Sequence, residues 1–372
     1  MRAFQFAPAL RAASPPRNRR WALAGMALVL LSVTLSLVLA GEKRSPTLLV
    51  VTACFASALV LLCWLSRQLY YRTSLHLQAD WQYRTDQEYA AWWQHHTQTF
   101  ALQDVVLIGP AGISPADWQG FLNQPPGLAS GCSTTITNGL LFSSRPGERE
   151  TQLAQMLARQ WHTQCSGQVY WPPISCYWQG SETAWQAFSA EVSLLFPSLC
   201  LPVRPEPWQG ANTLAELAAH FALTAEENQQ WFLVAGCLSV PAGGGSEPAG
   251  ESALLWKVTA KGPVTLARGE VFSPGEHTAS QVCQQAQQQS GLTHPPEHCV
   301  LFSPAIPPDF AHCGWNLSRH VQDPYWGRTG ENEPLIAVSL AALLALHQQT
   351  SCGWIATDPQ YQLTLGIVKY HG

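Results

Sequence analysis

Six side chains between positions 294 and 320, His294, His298, Cys299, His312, Cys313 and His320, form the densest grouping of potential metal ligands in this sequence. Zinc needs four such groups converging at roughly 2.0–2.3 Å. No C-x-x-C is present, and although His294 and His298 stand four apart, Pro295 and Pro296 bar the helix that would pair them, so the grouping reads as loop histidines and small buried thiols. Two cysteines stand where a nucleophile could: Cys176 in Ile174-Ser175-Cys176-Tyr177, and Cys237 at the end of an apolar run. Either would need a base such as His162 or His220 within hydrogen-bond reach. The alternative is that each is a small buried apolar residue. Gly243-Gly244-Gly245 does not lie between a strand and a helix opening with Lys and Ser or Thr, so it is a flexible turn and not a phosphate loop. Asn316-Leu317-Ser318 matches a glycosylation acceptor, which matters only in a secretory compartment. These residues therefore give no catalytic, cofactor or metal site to expect.

The elements that would position any chemistry begin with two apolar segments, Trp21 to Ala40 and Thr47 to Leu65. At about 1.5 Å per helical residue, each can cross a hydrocarbon core of roughly 30 Å, and together they read as a transmembrane hairpin over residues 21–65. Arg2, Arg11, Arg17, Arg19 and Arg20 precede the first segment, in a basic N-terminus over 1–20, and Arg67, Arg72 and Arg84 follow the second. The short turn carries Lys43 and Arg44 with Glu42. This bias is the one expected of a multi-pass membrane protein with both ends in the cytoplasm and only the turn outside. A competing reading takes the first segment as a cleaved signal peptide, with Val38 and Ala40 as the small-residue pattern, and still leaves the soluble part in the cytoplasm. Residues 66–101 read as a helical stalk, with Tyr70 and Tyr71 at headgroup level and His95 and His96 as surface residues.

Composition narrows the function classes. The chain of 372 residues is 47% apolar and only 12% charged, with a formal net charge of −4 and no basic run beyond the apolar segments, so nucleic acid is not an expected partner. Of its 11 cysteines, Cys54 and Cys63 lie in the second apolar segment, and the remainder show no regular close spacing, as reduced thiols would. The 16 tryptophans read as core and rim residues, some able to supply anchor contacts at an interaction surface.

The soluble part alternates apolar runs with helical patterns. Strands are expected at Val105–Ile108, Gly139–Phe142, Val169–Trp171, Trp231–Val234, Ser252–Val258, Val264–Ala267, Cys299–Phe302 and Leu363–Val368. Helices are expected from near Ala116 and over Thr151–Trp161, Glu182–Phe196, Thr213–Phe221, Ser280–Ser290 and Leu335–His347. This is an α/β pattern, divisible into halves at 102–240 and 251–372 on either side of the Pro241–Gly250 turn cluster.

Val105-Val106-Leu107-Ile108-Gly109 with Gly112, Ser114 and Pro115 resembles the opening strand of a β-ketoacyl synthase. Phe232-Leu233-Val234-Ala235-Gly236, a loop, and then Gly250-Glu251-Ser252-Ala253-Leu254-Leu255 is similar to the passage between the halves of that thiolase-like fold, and the helix over Leu335–His347 with the last strand fits its ending. The resemblance implies a body of two similar halves. It also implies a nucleophilic cysteine at a helix start, yet Ala211, Asn212 and Thr213 stand there, and Ser303 and Pro304 stand where a family histidine would be. The fold so read is a pseudoenzyme scaffold. The layout of anchor, stalk and degenerate α/β body is similar to adaptor proteins that accompany type VI secretion lipase effectors, which implies a protein partner, either an effector or a spike component. Two classes follow: a membrane-anchored non-catalytic adaptor without cofactor, acting through exposed aromatic residues, and a membrane-associated acyl-transfer enzyme with a cysteine nucleophile.

Overall fold

A computed structural model of the chain describes residues 11, 13–39, 46–123, 141, 143, 145–165, 172–224, 230–240, 250–302, 307–327, 329–360 and 362–371. The strands expected at Gly139–Phe142 and Val169–Trp171 lie wholly or mostly outside these residues, as do Lys43, Arg44, Ser303, Pro304 and the triglycine at 243–245. The chain divides into two compact units, residues 2–92 and 93–372.

The first unit holds α1 (Asn18–Leu39) and most of α2 (Pro46–His96), two helices long and apolar enough to cross a membrane. No glycine or proline interrupts the sequence from Thr47 to His96, so the second apolar segment and the expected stalk form one unbroken helix of 51 residues. The helices pack side by side: a Cβ on Gly25 would stand 2.7 Å from Val60 Cγ1, and Trp64 Nε1 donates to Asn18 Oδ1 at 3.3 Å.

The second unit is the α/β body. Its first half contains β1 (Thr99–Ile108), α3 (Pro115–Asn123), α4 (Pro146–Gln164), β2 (Cys176–Gln179), α5 (Glu182–Leu195), β3 (Glu206–Pro207), α6 (Ala211–Leu223), β4 (Trp231–Val240) and β5 (Gly250–Thr259). Its second half contains β6 (Val264–Ala267), β7 (Glu270–Phe272), α7 (Ala279–Gln289), β8 (His298–Leu301), a 3-10 turn at Pro308–His312, β9 (His320–Val321), α8 (Asp323–Trp326), α9 (Glu333–Gln348), β10 (Cys352–Thr357) and β11 (Leu363–Tyr370).

The spatial order is β3-β2-β4-β5-β1-β6-β11-β10-β8-β9, with β7 beside β11. Numbered within each half, with β7 set aside, both runs are third-second-fourth-fifth-first, and both carry the same directions. β2 is parallel to β3 and β4, whereas β5 is antiparallel to β4 and β1. Likewise β8 is parallel to β9 and β10, whereas β11 is antiparallel to β10 and β6. The first strands of the halves join antiparallel, from Thr99↔Ala267 to Leu102↔Val264. This duplicated topology is invisible as sequence identity and plain as strand order.

Three apolar clusters give the layers. Alternate residues of β1 explain the split: Leu107 and Val105 face a central cluster with α6 and α9, while Val106 and Ile108 face α4 and α5. On the other half, Leu365 and Ile367 of β11 face α7. Helices α6 and α9 thus occupy matching places, each leading into the fourth strand of its half, and share the core between the two halves. That placement sets the first turn of α6 at the centre of the body.

Candidate cavity at the start of α6

Between β3 and α6 the chain runs Trp208-Gln209-Gly210. Trp208 is buried, its ring packed edge-on against Trp256 at 5.8 Å, and its backbone N–H donates to Trp178 O at 3.2 Å. Gly210 then turns with φ of 60°, a left-handed conformation that favours glycine. It also sits tightly, since a Cβ there would meet Pro359 Cδ at 3.0 Å and Asp358 Cβ at 3.2 Å. No side chain caps α6 at Gly210, and Thr213 Oγ1 instead accepts from Gln209 N at 3.0 Å.

A cavity of about 210 Å³ opens against this first turn. Gln209, Ala211 and Asn212 form one wall, Arg268 and Glu270 another, and Asp358, Gln360 and Gln362 a third. The Arg268-Gly269-Glu270 link between β6 and β7 is tight: Gly269 has φ of 76° and faces Leu365 O, 2.9 Å from where a Cβ would stand. Arg268 is only 4% exposed; its Nη2 donates to His96 Nε2, and its Nε has no hydrogen-bond partner. Burial lowers its pKa, with Glu270 opposing. Glu270 accepts from Gln289 Nε2, and burial pushes its pKa up to about 7 against the pull of Arg268. Asp358 Oδ1 accepts from Gln360 N at 2.9 Å and Gln362 N at 2.8 Å, and burial also raises its pKa. His96, expected as a surface residue, is buried because the last turn of α2 belongs to the body and meets Arg268.

The residues singled out in the sequence lie elsewhere. Cys176 is buried on β2 with its thiol pushed up to about 12, by burial first and Glu206 second. Cys237 is buried on β4, where its thiol donates to Glu150 O at 3.1 Å and burial raises its pKa. The proposed bases do not reach them: the His162 ring packs on Phe196 at 5.1 Å, and His220 bonds Gln230 at 3.1 Å and packs on Phe232. In the 294–320 region His298 and His320 meet edge-to-face at 5.5 Å, and burial holds His320 down to about 4. Among the described residues no three His, Cys, Asp or Glu side chains there or elsewhere converge as metal ligands. Asn316 Oδ1 accepts from Ser318 Oγ at 3.1 Å, closing a local turn.

Trp118, Trp161, Trp185, Trp256, Trp326 and Trp354 are fully buried. The exposed large apolar residues described in the body are aliphatic, Ile174, Leu194, Val203 and Leu223, in place of the expected aromatic surface. The indole carries a large apolar area to remove from water, and the three apolar clusters take it up.

No family model matches the chain, and no curated protein matches it in sequence. Its architecture is similar to that of the ishigamide ketosynthase/chain length factor, at a TM-score of 0.50 and 10% identity over 74% of this chain and 100% of that one. An oxazolomycin ketosynthase domain from Streptomyces albus aligns at 0.46 and 11% identity, over 74% and 96%. β-Ketoacyl-[acyl carrier protein] synthase III from Thermus thermophilus aligns at 0.44 and 12%, over 73% and 99%. The body has a thiolase-like fold.

Proposed function

We propose that this protein is a membrane-anchored, non-catalytic adaptor: α1 and α2 tether it to a bacterial inner membrane, and the α/β body binds a partner protein in the cytoplasm. The observation that carries this reading is Ala211. In a thiolase-like condensing enzyme, a thiol at the start of this helix would gain acidity from the helix dipole and a nearby base. Here that first turn offers a methyl group and the Asn212 carboxamide, and the cavity beside it is lined by carboxamides, two acids and an arginine. Support for the anchor comes from the length of the two apolar helices and from Arg17, Arg19, Arg20, Arg67 and Arg72 beside them. The layout favours a type VI secretion lipase effector as the partner, presented to the secretion spike.

The test is affinity capture of the full-length chain, solubilised from native membranes, followed by mass spectrometry. Specific recovery of a lipase effector or spike component, unchanged by Ala211→Ser, supports the adaptor. Recovery of an acyl carrier protein would favour the acyl-transfer alternative and redirect attention to the cysteines.

A further inference from the structure

We propose that Cys283 and Cys313 are an oxidisable pair: a peroxide oxidises Cys313, and Cys283 closes the product to a disulfide that fastens α7 to the 3-10 turn at Pro308–His312. This does not rest on the adaptor reading. Both sulfurs belong to one apolar layer of the second half. Cys283 is buried within that layer on α7, and Cys313 packs against it at the end of the 3-10 turn, partly exposed. α7 packs on the turn, and the Phe272 and Phe310 rings meet edge-to-face at 5.1 Å in the same layer. The Cys283 S–H donates to the Cys313 sulfur, so the two thiols are already in contact. On its other side the Cys313 sulfur accepts from the Trp315 backbone N–H, while the Cys313 N–H donates to Phe310 O at 3.1 Å.

The two thiols are unequal in the way such a pair requires. Cys313 is the one that a reagent can reach, and the hydrogen bond from Cys283 holds its pKa down to about 7 against the opposing effect of burial. The same contact raises Cys283, so the thiolate forms first at Cys313 while Cys283 keeps its proton. Cys313 Sγ attacks one peroxide oxygen, the O–O bond breaks, and the departing hydroxide leaves as water with the proton that Cys313 gave up. Cys283 Sγ then attacks the sulfenic sulfur, the S–O bond breaks, and the Cys283 proton leaves with that hydroxide as a second water. Two electrons pass from the sulfurs to the peroxide oxygens, and an S–S bond of about 2.05 Å replaces the hydrogen bond. Cys299 on β8 lies near Cys313 but is fully buried, and its S–H is turned to Val300 O at 3.8 Å. Among the described residues no third ligand converges with the pair to hold a metal ion.

The experiment treats the full-length protein in detergent with a small excess of hydrogen peroxide, blocks the remaining thiols with iodoacetamide, and maps the peptides by mass spectrometry without reductant. No Lys or Arg lies between positions 269 and 318, so trypsin leaves Cys283, Cys299 and Cys313 on one peptide, whereas cleavage after Glu297 and Phe302 separates all three. The expected product is a peptide pair linked through Cys283 and Cys313 and released by dithiothreitol. Cys283→Ala should eliminate the link and leave a sulfenic acid on Cys313 that dimedone traps, and Cys299→Ala should leave the link in place. Because Cys283 is also a packing residue, Cys313→Ala at the partly exposed position provides the second arm: Cys283 should then survive the same peroxide as a free thiol. A native protein whose Cys313 stays a free thiol in peroxide overturns the proposal, as does a link between Cys313 and Cys299. It is equally overturned by a wild-type Cys313 that accumulates as the dimedone adduct in place of the disulfide, or by a Cys283–Cys313 link that forms only after unfolding in urea.

Discussion

Trp118 of α3 and Trp326 of α8 stack face to face, with ring centroids 5.4 Å apart and planes 6° from parallel, joining the first half of the body to the second. Each indole is also tied to its own half: Trp118 Nε1 donates to Leu107 O at 2.8 Å, and Trp326 Nε1 to Gln322 Oε1 at 3.2 Å. Gly109 lies directly beneath, where a Cβ would run into the Trp326 ring. Trp326→Ala should therefore cost about 3–5 kcal/mol in urea unfolding. Gly109→Ala should also destabilise the body, because the stacked pair cannot move aside without leaving its hydrogen bonds. A small loss in both variants would mean that the halves are held by the β1–β6 ladder and the shared core of α6 and α9 without help from the stacked pair.

The Arg149–Glu251 pair is the second point of sensitivity. Arg149 Nη2 donates to Glu251 Oε2 at 2.9 Å, Nε reaches Oε1, and Ser239 Oγ donates to Oε1 at 3.0 Å, with the Glu251 side chain only 2% exposed. Removing the cation alone leaves a buried carboxylate, so Arg149→Met should cost about 3–5 kcal/mol. Replacing both by apolar residues, Arg149→Met with Glu251→Leu, should recover much of that loss. Chemical denaturation of the single and double variants measures the difference.

Glu270 makes the stability of the body depend on pH. Its folded pKa of about 7 lies above the ordinary 4.5, so the folded state binds the extra proton between these values. The group's contribution is complete below about 4.5 and is lost as pH rises through about 7, a change of about 3 kcal/mol over the whole window. His320, held near 4 by burial, acts in the opposite sense between about 4 and 6.5. Arg268 and Asp358 line the same cavity, and His96 bonds Arg268. The informative quantity is therefore the difference between wild type and Glu270→Gln. The wild type should lose about 2 kcal/mol relative to the variant between about pH 5 and about pH 8.

The sequence discloses those parts of the fold whose physics is local. Long apolar runs mark β4 and β5, and Val264–Ala267 is bounded as expected, because turn residues close each run. Thr278 and Gln281 form a capping box at the start of α7, one residue before the expected Ser280. Two buried strands escape this logic. Cys176–Gln179 is too short to announce a strand by its own pattern, and it becomes one by pairing with β4. In Cys352–Thr357 the glycine at 353 looks like a break, yet the Trp315 ring lies where a side chain would go, 2.8 Å from a Cβ. The cavity at α6 could not be read at all. Its walls come from three distant stretches, at Gln209 and Asn212, at Arg268 and Glu270, and at Asp358, Gln360 and Gln362, and nothing in Arg268-Gly269-Glu270 announces that a guanidinium will be buried there.

Thiol reactivity separates a scaffold whose cysteines are packing residues from one that holds a poised nucleophile. Cys237, Cys299 and Cys352 are buried, and burial raises all three, so little thiolate is available and reagent cannot reach it. Cys200 is exposed, and Cys313 is partly exposed and lowered by a hydrogen bond from Cys283, whose own pKa is raised by that contact. In the native protein N-ethylmaleimide should therefore label Cys200 and Cys313 within the body, with Cys237, Cys299 and Cys352 modified only on the timescale of global unfolding. Peptide mapping by mass spectrometry after timed quenching reads this order directly. Fast labelling of Cys176 or Cys237 would reveal an opening motion that exposes a thiol, and would return weight to a catalytic role for the body.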